Sequence, residues 1–406
     1  MSLPGRRAVA WVVISSVAWL ASCGPRTEGL DVQVDRALGA AMRSLVASQS
    51  PDGAWRSPTY GIFKDGLSLT PAVLKAVTFG PDVAGSATAR RLGADYLGAR
   101  VRADGTIDDG PSGMTYPVYT ASAAVMALTR LDFTDGRGKR KRDAWLRELL
   151  RRQLTERLGW GPDDPAFGGW GYSIEPPSRP EAEDPTGRRI DADLSSTLSA
   201  VGALRIAGIE AEDPAIRKAL TFIQRCQNVV EGGRDADPRY DDGGFFFSPT
   251  DPVRNKAGAA GLDRYGRARY HSYGSATADG LRALLRCGLP ADHPRVAASR
   301  GWLERHFAAS SHPGTFEASR EVERDATYYY YAWSVAHAFR ALGIAEIRTG
   351  GRRVTWPEAL SRELIRRQRE DGTWINRFTA SKEDDPLVAT SFAAGALGLC
   401  RTFLAR

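Results

Sequence analysis

Six times along the chain a glycine stands two residues before a large apolar residue: Gly53-Ala54-Trp55, Gly105-Thr106-Ile107, Gly168-Gly169-Trp170, Gly243-Gly244-Phe245, Gly314-Thr315-Phe316 and Gly372-Thr373-Trp374. Such a repeat constrains the fold strongly, because each unit buries its apolar face only against its neighbours. Amphipathic segments precede the turns, at 34–48, 143–153, 214–227, 294–307 and 356–368. Their apolar residues recur at helical spacing, as at Trp145, Leu149 and Leu150. A second helix, rich in small residues, follows each turn. Thr70 leads to Ala76-Val77, Thr197 to Ala203-Leu204, Thr277 to Ala283-Leu284 and Thr390 to Ala396-Leu397, all at one spacing. Thr120 leads to Ala127-Leu128 one residue later, and the fifth repeat lacks the Thr. The first helix of each pair carries charge on one face and is expected outside; the Ala- and Gly-rich second helix is expected inside. Six such hairpins closed side by side make an all-α (α/α)6 toroid, with an open solenoid as the alternative.

The 406 residues are 42% apolar and 25% charged, as in a globular protein. The net charge of +7 is spread along the chain apart from a run at 137–142, so no nucleic-acid surface is expected. At the N-terminus Arg6 and Arg7 precede an apolar stretch, 8–21, that is short for a membrane span. It ends in Leu20-Ala21-Ser22-Cys23, which resembles a bacterial lipobox. That resemblance implies cleavage of residues 1–22, acylation of Cys23 and anchoring in the cell envelope, facing the periplasm at the outer membrane. An ordinary signal peptide is the alternative. Residues 23–34 then form a tether and 35–406 one toroid domain. Cys226, Cys287 and Cys400 show no paired spacing and read as small buried hydrophobes.

Gln49-Ser50-Pro51-Asp52-Gly53-Ala54-Trp55 and Gln368-Arg369-Glu370-Asp371-Gly372-Thr373-Trp374 share the pattern Q-x3-G-x-W. This resembles the QW motif of squalene–hopene and oxidosqualene cyclases, whose toroid is shared by prenyltransferase β-subunits. The resemblance covers about residue 35 to the end of the sequence. It implies that Gln49, Trp55, Gln368 and Trp374 are structural, tying neighbouring repeats together.

The cyclases place a D-x-D-D-T motif at the start of an inner helix, and its middle Asp protonates an alkene. Aligned on the repeat Thr, this chain reads Asp193-Leu194-Ser195-Ser196-Thr197. Ser195 stands where the acid belongs, and a hydroxyl is far too weak an acid for that step. Asp193 and Asp191 are the candidate acids; the other reading of Asp193 is a helix N-cap. The prenyltransferases hold zinc with Asp-x-Cys and a later His. Tyr270-His271-Ser272 offers neither Asp nor Cys, and Tyr328 falls where the His would be, so no metal or cofactor is expected.

Aromatic residues gather in the loops and first turns of the inner helices: Tyr116, Tyr119, Trp170, Tyr172, Phe245 to Phe247, Tyr270, Tyr273, Tyr328 to Tyr331 and Trp333. Rings suit polyprenyl chains, sugars and cations. Trp170, Tyr172, Phe245, Tyr270, Tyr273, Tyr328 and Tyr331 are the candidate ligand contacts; the alternative is that the rings fill the core. Three functions remain open. The chain binds or converts an isoprenoid-like apolar small molecule; or it processes envelope glycans with paired carboxylates; or it is a binding scaffold.

Overall fold

The computed structural model of the chain describes residues 28–110, 113–131, 136–179, 192–230, 237–378 and 381–404. The expected signal peptide, Cys23 and the first residues of the expected tether lie outside these. Six outer helices alternate with six inner ones. The outer helices are α1 (Leu30–Ala47), α3 (Ser86–Ala99), α5 (Gly136–Leu150), α7 (Pro214–Arg225), α9 (Pro294–His306) and α12 (Trp356–Arg367). The inner helices are α2 (Thr70–Phe79), α4 (Pro117–Arg130), α6 (Leu194–Ile206), α8 (Gly274–Arg286), α11 (Tyr328–Ala341) and α13 (Pro386–Leu404). A short α10 (Glu321–Ala326) precedes α11. Residues 30–34, expected in the tether, belong to α1: Asp31 favours its first turn and Val34 is buried.

The inner helices form a closed ring. Each packs on the next, from α2 through α4, α6, α8 and α11 to α13, and α13 packs back on α2. The architecture is therefore an (α/α)6 toroid, and one hydrophobic core runs through all six repeats. α13 is apolar and long enough to cross a bilayer by composition, yet it lies in this ring, packed on α1, α2, α11 and α12. Two small antiparallel hairpins decorate the helical frame. One pairs β1 (Ala259–Leu262) with β2 (Ala268–Tyr270); the other pairs β3 (Glu346–Thr349) with β4 (Arg352–Thr355). Cys226, Cys287 and Cys400 are buried and unpaired.

The Gly-x-aromatic turn explains how the repeats are joined. Gln49 Nε2 donates to Gly53 O inside its own turn and to Ala89 O on the next outer helix, both at 2.9 Å. Gln368 does the same with Gly372 O and Ala37 O, so the last repeat is fastened to the first. Two further glutamines make this staple. Gln153 donates to Gly168 O and Ala215 O, and Gln227 to Gly243 O and Arg295 O. The glycines of these four turns, Gly53, Gly168, Gly243 and Gly372, have φ between 80 and 89° and press against the neighbouring helix backbone. A Cβ on any of them would strike the carbonyl of Leu92, Lys218, Ala298 or Ala40.

The turn tryptophans fasten each hairpin internally. The indole N–H of Trp55, Trp170 and Trp374 donates to Leu45 O, Leu149 O and Leu364 O of the preceding outer helix. Two seams have no glutamine staple. Between repeats two and three, Arg147 of α5 reaches Gly105 O at 3.5 Å; between repeats five and six, Arg367 of α12 donates to Ser310 O at 2.7 Å.

Replacing Gln153 by Ala strands two carbonyls and removes two hydrogen bonds. Gln153→Ala and Gln368→Ala should each lower stability by about 2–3 kcal/mol. Chemical denaturation measures this, and a loss for Gln368→Ala alone would show that Gln153 fastens nothing.

Candidate functional site

The repeat threonine sets the depth of every inner side chain. Thr70, Thr197, Thr277 and Thr390 each accept, on the hydroxyl, the backbone N–H of Trp55, Trp170, Phe245 or Trp374 at 2.9–3.0 Å. All six inner helices therefore start at one face, the mouth. Thr120, offset by one residue, has a buried hydroxyl with no hydrogen-bond partner among the described residues. In α11 Tyr331 takes the Thr position, since its N–H bonds Thr327 O as that of Thr197 bonds Asp193 O.

The mouth is walled by an arc of rings from successive repeats. Tyr60 meets Phe63, Phe63 meets Tyr116, Tyr116 meets Tyr172, and Tyr172 meets Phe247, with centroids 6.0–6.4 Å apart. Tyr119 joins the arc through Tyr172, ring to ring at 5.8 Å and hydroxyl to hydroxyl at 3.2 Å. Two loops lay cations on these rings. Arg254 lies 5.0 Å from the Tyr172 centroid, and Lys382 lies 5.5 and 5.4 Å from Tyr60 and Tyr116. The segment around Arg254 spans part of the mouth: Lys256 pairs with Glu323 before α11 and reaches Ser381 before α13.

Below the arc, Tyr330, Trp333 and Phe392 form a second group of rings, 5.3–5.8 Å apart. These three keep surface accessible to solvent although they lie on the inner ring, as do Lys75, Arg286 and His337. Together they face the centre of the ring, termed the chamber. Tyr330 also anchors a polar network. Ser195 Oγ lies 2.5 Å from Tyr330 Oη, and Tyr330 donates to Asp279 Oδ2 at 2.6 Å. Asp279 Oδ1 accepts from Ser334 and from Arg282. Burial pushes the Asp279 carboxyl up, and Arg282, Ser334 and Tyr330 pull against it. Burial holds the Tyr330 and Tyr119 phenols protonated.

The candidate residues from the sequence occupy different places. Asp193 caps α6: Oδ1 accepts the Ser196 N–H and Oδ2 the Ser196 hydroxyl, both at 2.7 Å. Asp191 lies outside the described residues. Tyr172 is on the arc. Trp170 and Phe245 are fully buried in their turns. Tyr270 packs on Phe246, and Tyr273 on His312 and Phe316. Tyr328 donates to Ala309 O and Tyr331 to Ala308 O, so both are tied to the turn of their own repeat rather than to the chamber. Only one member of the Tyr328–Tyr331 run, Tyr330, reaches the chamber network. Among the other carboxylates near the mouth, Asp241 pairs with Arg269, Asp242 holds Ser272 and Trp302, Asp384 takes the Tyr60 hydroxyl, and Asp385 caps α13. Among the described residues no three His, Cys, Asp or Glu side chains gather as a metal set.

Sequence reasoning missed Tyr60, Phe392 and the inward cations. A signal was available for the cations. Five residues after the repeat Thr stand Lys75, Gly202, Arg282 and Gly395, so cations alternate with glycines around the ring. Gly395 leaves room for Trp333, and Gly202 for Arg286 and Met126.

Burial pushes Asp193 up to about 7, against the pull of the Ser196 N–H and hydroxyl. An acid with a raised folded-state pKa holds its proton more tightly when folded. Its contribution to stability therefore falls as pH rises from about 4 to about 7 and stays low above that. Asn keeps the capping acceptor and does not titrate. Asp193→Asn should gain melting temperature relative to the native chain as pH rises from about 5 to about 8. Buried His312 and His337, held well below 6.5, act in the opposite sense but equally in both proteins. An offset independent of pH would show that Asp193 is not a buried acid.

The toroid is shared with solved structures of low sequence identity. Apo type II terpene cyclase MstE from Scytonema aligns with a TM-score of 0.53 at 12% identity, covering 92% of this chain and 99% of that one. An MstE variant in complex with geranylgeranyl dihydroxybenzoate, its substrate, aligns at 0.50 and 13% identity over 91% and 97%. A protein from Actinoplanes aligns at 0.50 and 15% identity over 92% and 100%. These are likenesses of fold. No family model and no curated protein matches the chain.

Proposed function

We propose that the chain takes an isoprenoid-like apolar ligand into the central chamber of the toroid, and that an acyl anchor on Cys23 holds it at the envelope membrane. The supporting observation is a pair of ring groups, one at the mouth from Tyr60 through Tyr119 and Tyr172, the other inside at Tyr330, Trp333 and Phe392. Stacked and tilted rings present apolar faces at van der Waals distance to a polyene chain and cost little side-chain entropy on binding. The substrate-bound MstE fold neighbour supports the ligand class.

The same geometry argues against a conventional acid-initiated cyclisation. Ser195 occupies the acid's place and its hydroxyl is engaged with Tyr330. Asp193 spends both oxygens on the α6 cap. Binding or transport of the ligand therefore fits the residues better than protonation of it. The glycan alternative finds no free pair among Asp193, Asp241, Asp242, Asp384 and Asp385, each of which holds a structural partner.

Full-length protein purified in detergent should carry a co-purifying isoprenoid detectable by lipid extraction and mass spectrometry. Tyr119→Ala and Trp333→Ala should lower its occupancy. An empty native protein that also fails to bind geranylgeraniol would overturn the reading. Cys23→Ala should move the protein from the membrane to the soluble envelope fraction; unchanged membrane association would remove the anchor.

A further inference from the structure

The chamber has a charged floor. Lys75 of α2 and Arg282 of α8 approach one ring: Lys75 Nζ is 5.1 Å and Arg282 Cζ 4.5 Å from the centroid of Trp333. His337, one turn below Trp333, packs on the same ring at 4.8 Å. One turn further along α8, Arg286 lies against Gly202 of α6, with a 3.5 Å hydrogen bond to Leu198 O.

The charges do not balance. Asp279 pairs with Arg282. Among the described residues the Lys75 ammonium has no hydrogen-bond acceptor, and neither Lys75 nor Arg286 has an ion pair. Burial disfavours the Lys75 charge and the arginines repel it, so its pKa falls to about 8; burial and Arg282 lower that of Arg286 to about 9. Both remain cationic at neutral pH. His337 is held neutral by burial and by the same three cations. Uncompensated charge in a desolvated space is costly, and an anion placed between the cations offsets that cost.

We propose that the chamber floor is an anion subsite, and that the ligand enters head-down. A carboxylate or phosphate head would sit among Lys75, Arg282 and Arg286, with the apolar chain rising along Trp333, Tyr330 and Tyr119. This rests on the chamber reading above and specifies its ligand class: an amphiphile with an anionic terminus. Lys382 and Arg254 at the mouth favour entry of such a molecule by charge.

Equilibrium binding of geranylgeranyl phosphate, geranylgeranoic acid and geranylgeraniol to the full chain in detergent tests it. Either anion, or both, should bind at least about tenfold tighter than the alcohol, as expected for a charge-assisted contact. Which anion gains identifies the head group. Lys75→Met should abolish the advantage and raise the melting temperature of the ligand-free protein. Lys382→Gln should preserve the advantage. If the alcohol binds as tightly as the anions, the subsite is wrong and the aromatic chamber stands. If none of the three binds, the chamber reading itself falls. Loss of the advantage in Lys382→Gln but not in Lys75→Met would place the head at the mouth. The comparison of the three ligands on the native chain holds even if a variant fails to fold.

Discussion

The ring depends on one amide. A glutamine at the end of an outer helix donates one N–H into its own turn and the other to the next outer helix, so a single side chain fixes both the turn and the spacing to its neighbour. The geometry needs a left-handed glycine, because the turn backbone lies directly on the next helix. Gln368 and Gly372 then meet α1, turning a stack that would otherwise be open into a closed ring. Closure matters because it leaves no terminal repeat with an exposed apolar face.

Once the ring is closed, the threonines determine what the centre contains. Each is tied to a turn N–H, so residues at equal distance from it lie at equal depth. On the inner helices, Tyr119 and Tyr330 lie nearer the mouth and Lys75, Arg282 and Arg286 deeper. The inner helices tolerate bulky groups there because glycines stand opposite them, as Gly395 does to Trp333. The chamber is thus graded from aromatic to cationic along its axis rather than uniformly apolar.

The architecture was largely legible because its signals are local and periodic. The Q-x3-G-x-W spacing exposed Gln49 and Gln368. Gln153 and Gln227 do identical work but escaped, since long insertions separate them from Gly168 and Gly243. The site was less legible. Four consecutive tyrosines cannot be sorted by composition, and only the register of α11 shows that Tyr330 turns inward while Tyr328 and Tyr331 bond backbone carbonyls. Lys75 and Arg282 share one register position after the repeat Thr, but only the closed ring brings them to the same indole. Asp193 kept both readings in the sequence; its two bonds to Ser196 are those of a cap.

The distribution of staples divides the ring in two. Glutamines join repeats six, one and two into one arc and repeats three, four and five into another. The two seams without a glutamine lie across a diameter and are closed by other side chains: Arg147 and Trp145 reach Gly105 O and Leu97 O at one, while at the other Arg367 reaches Ser310 O and Glu383 accepts the Tyr329 and Tyr330 N–H groups. Within each three-repeat arc the same joint recurs, whereas the two joints on the diameter are each built from different side chains.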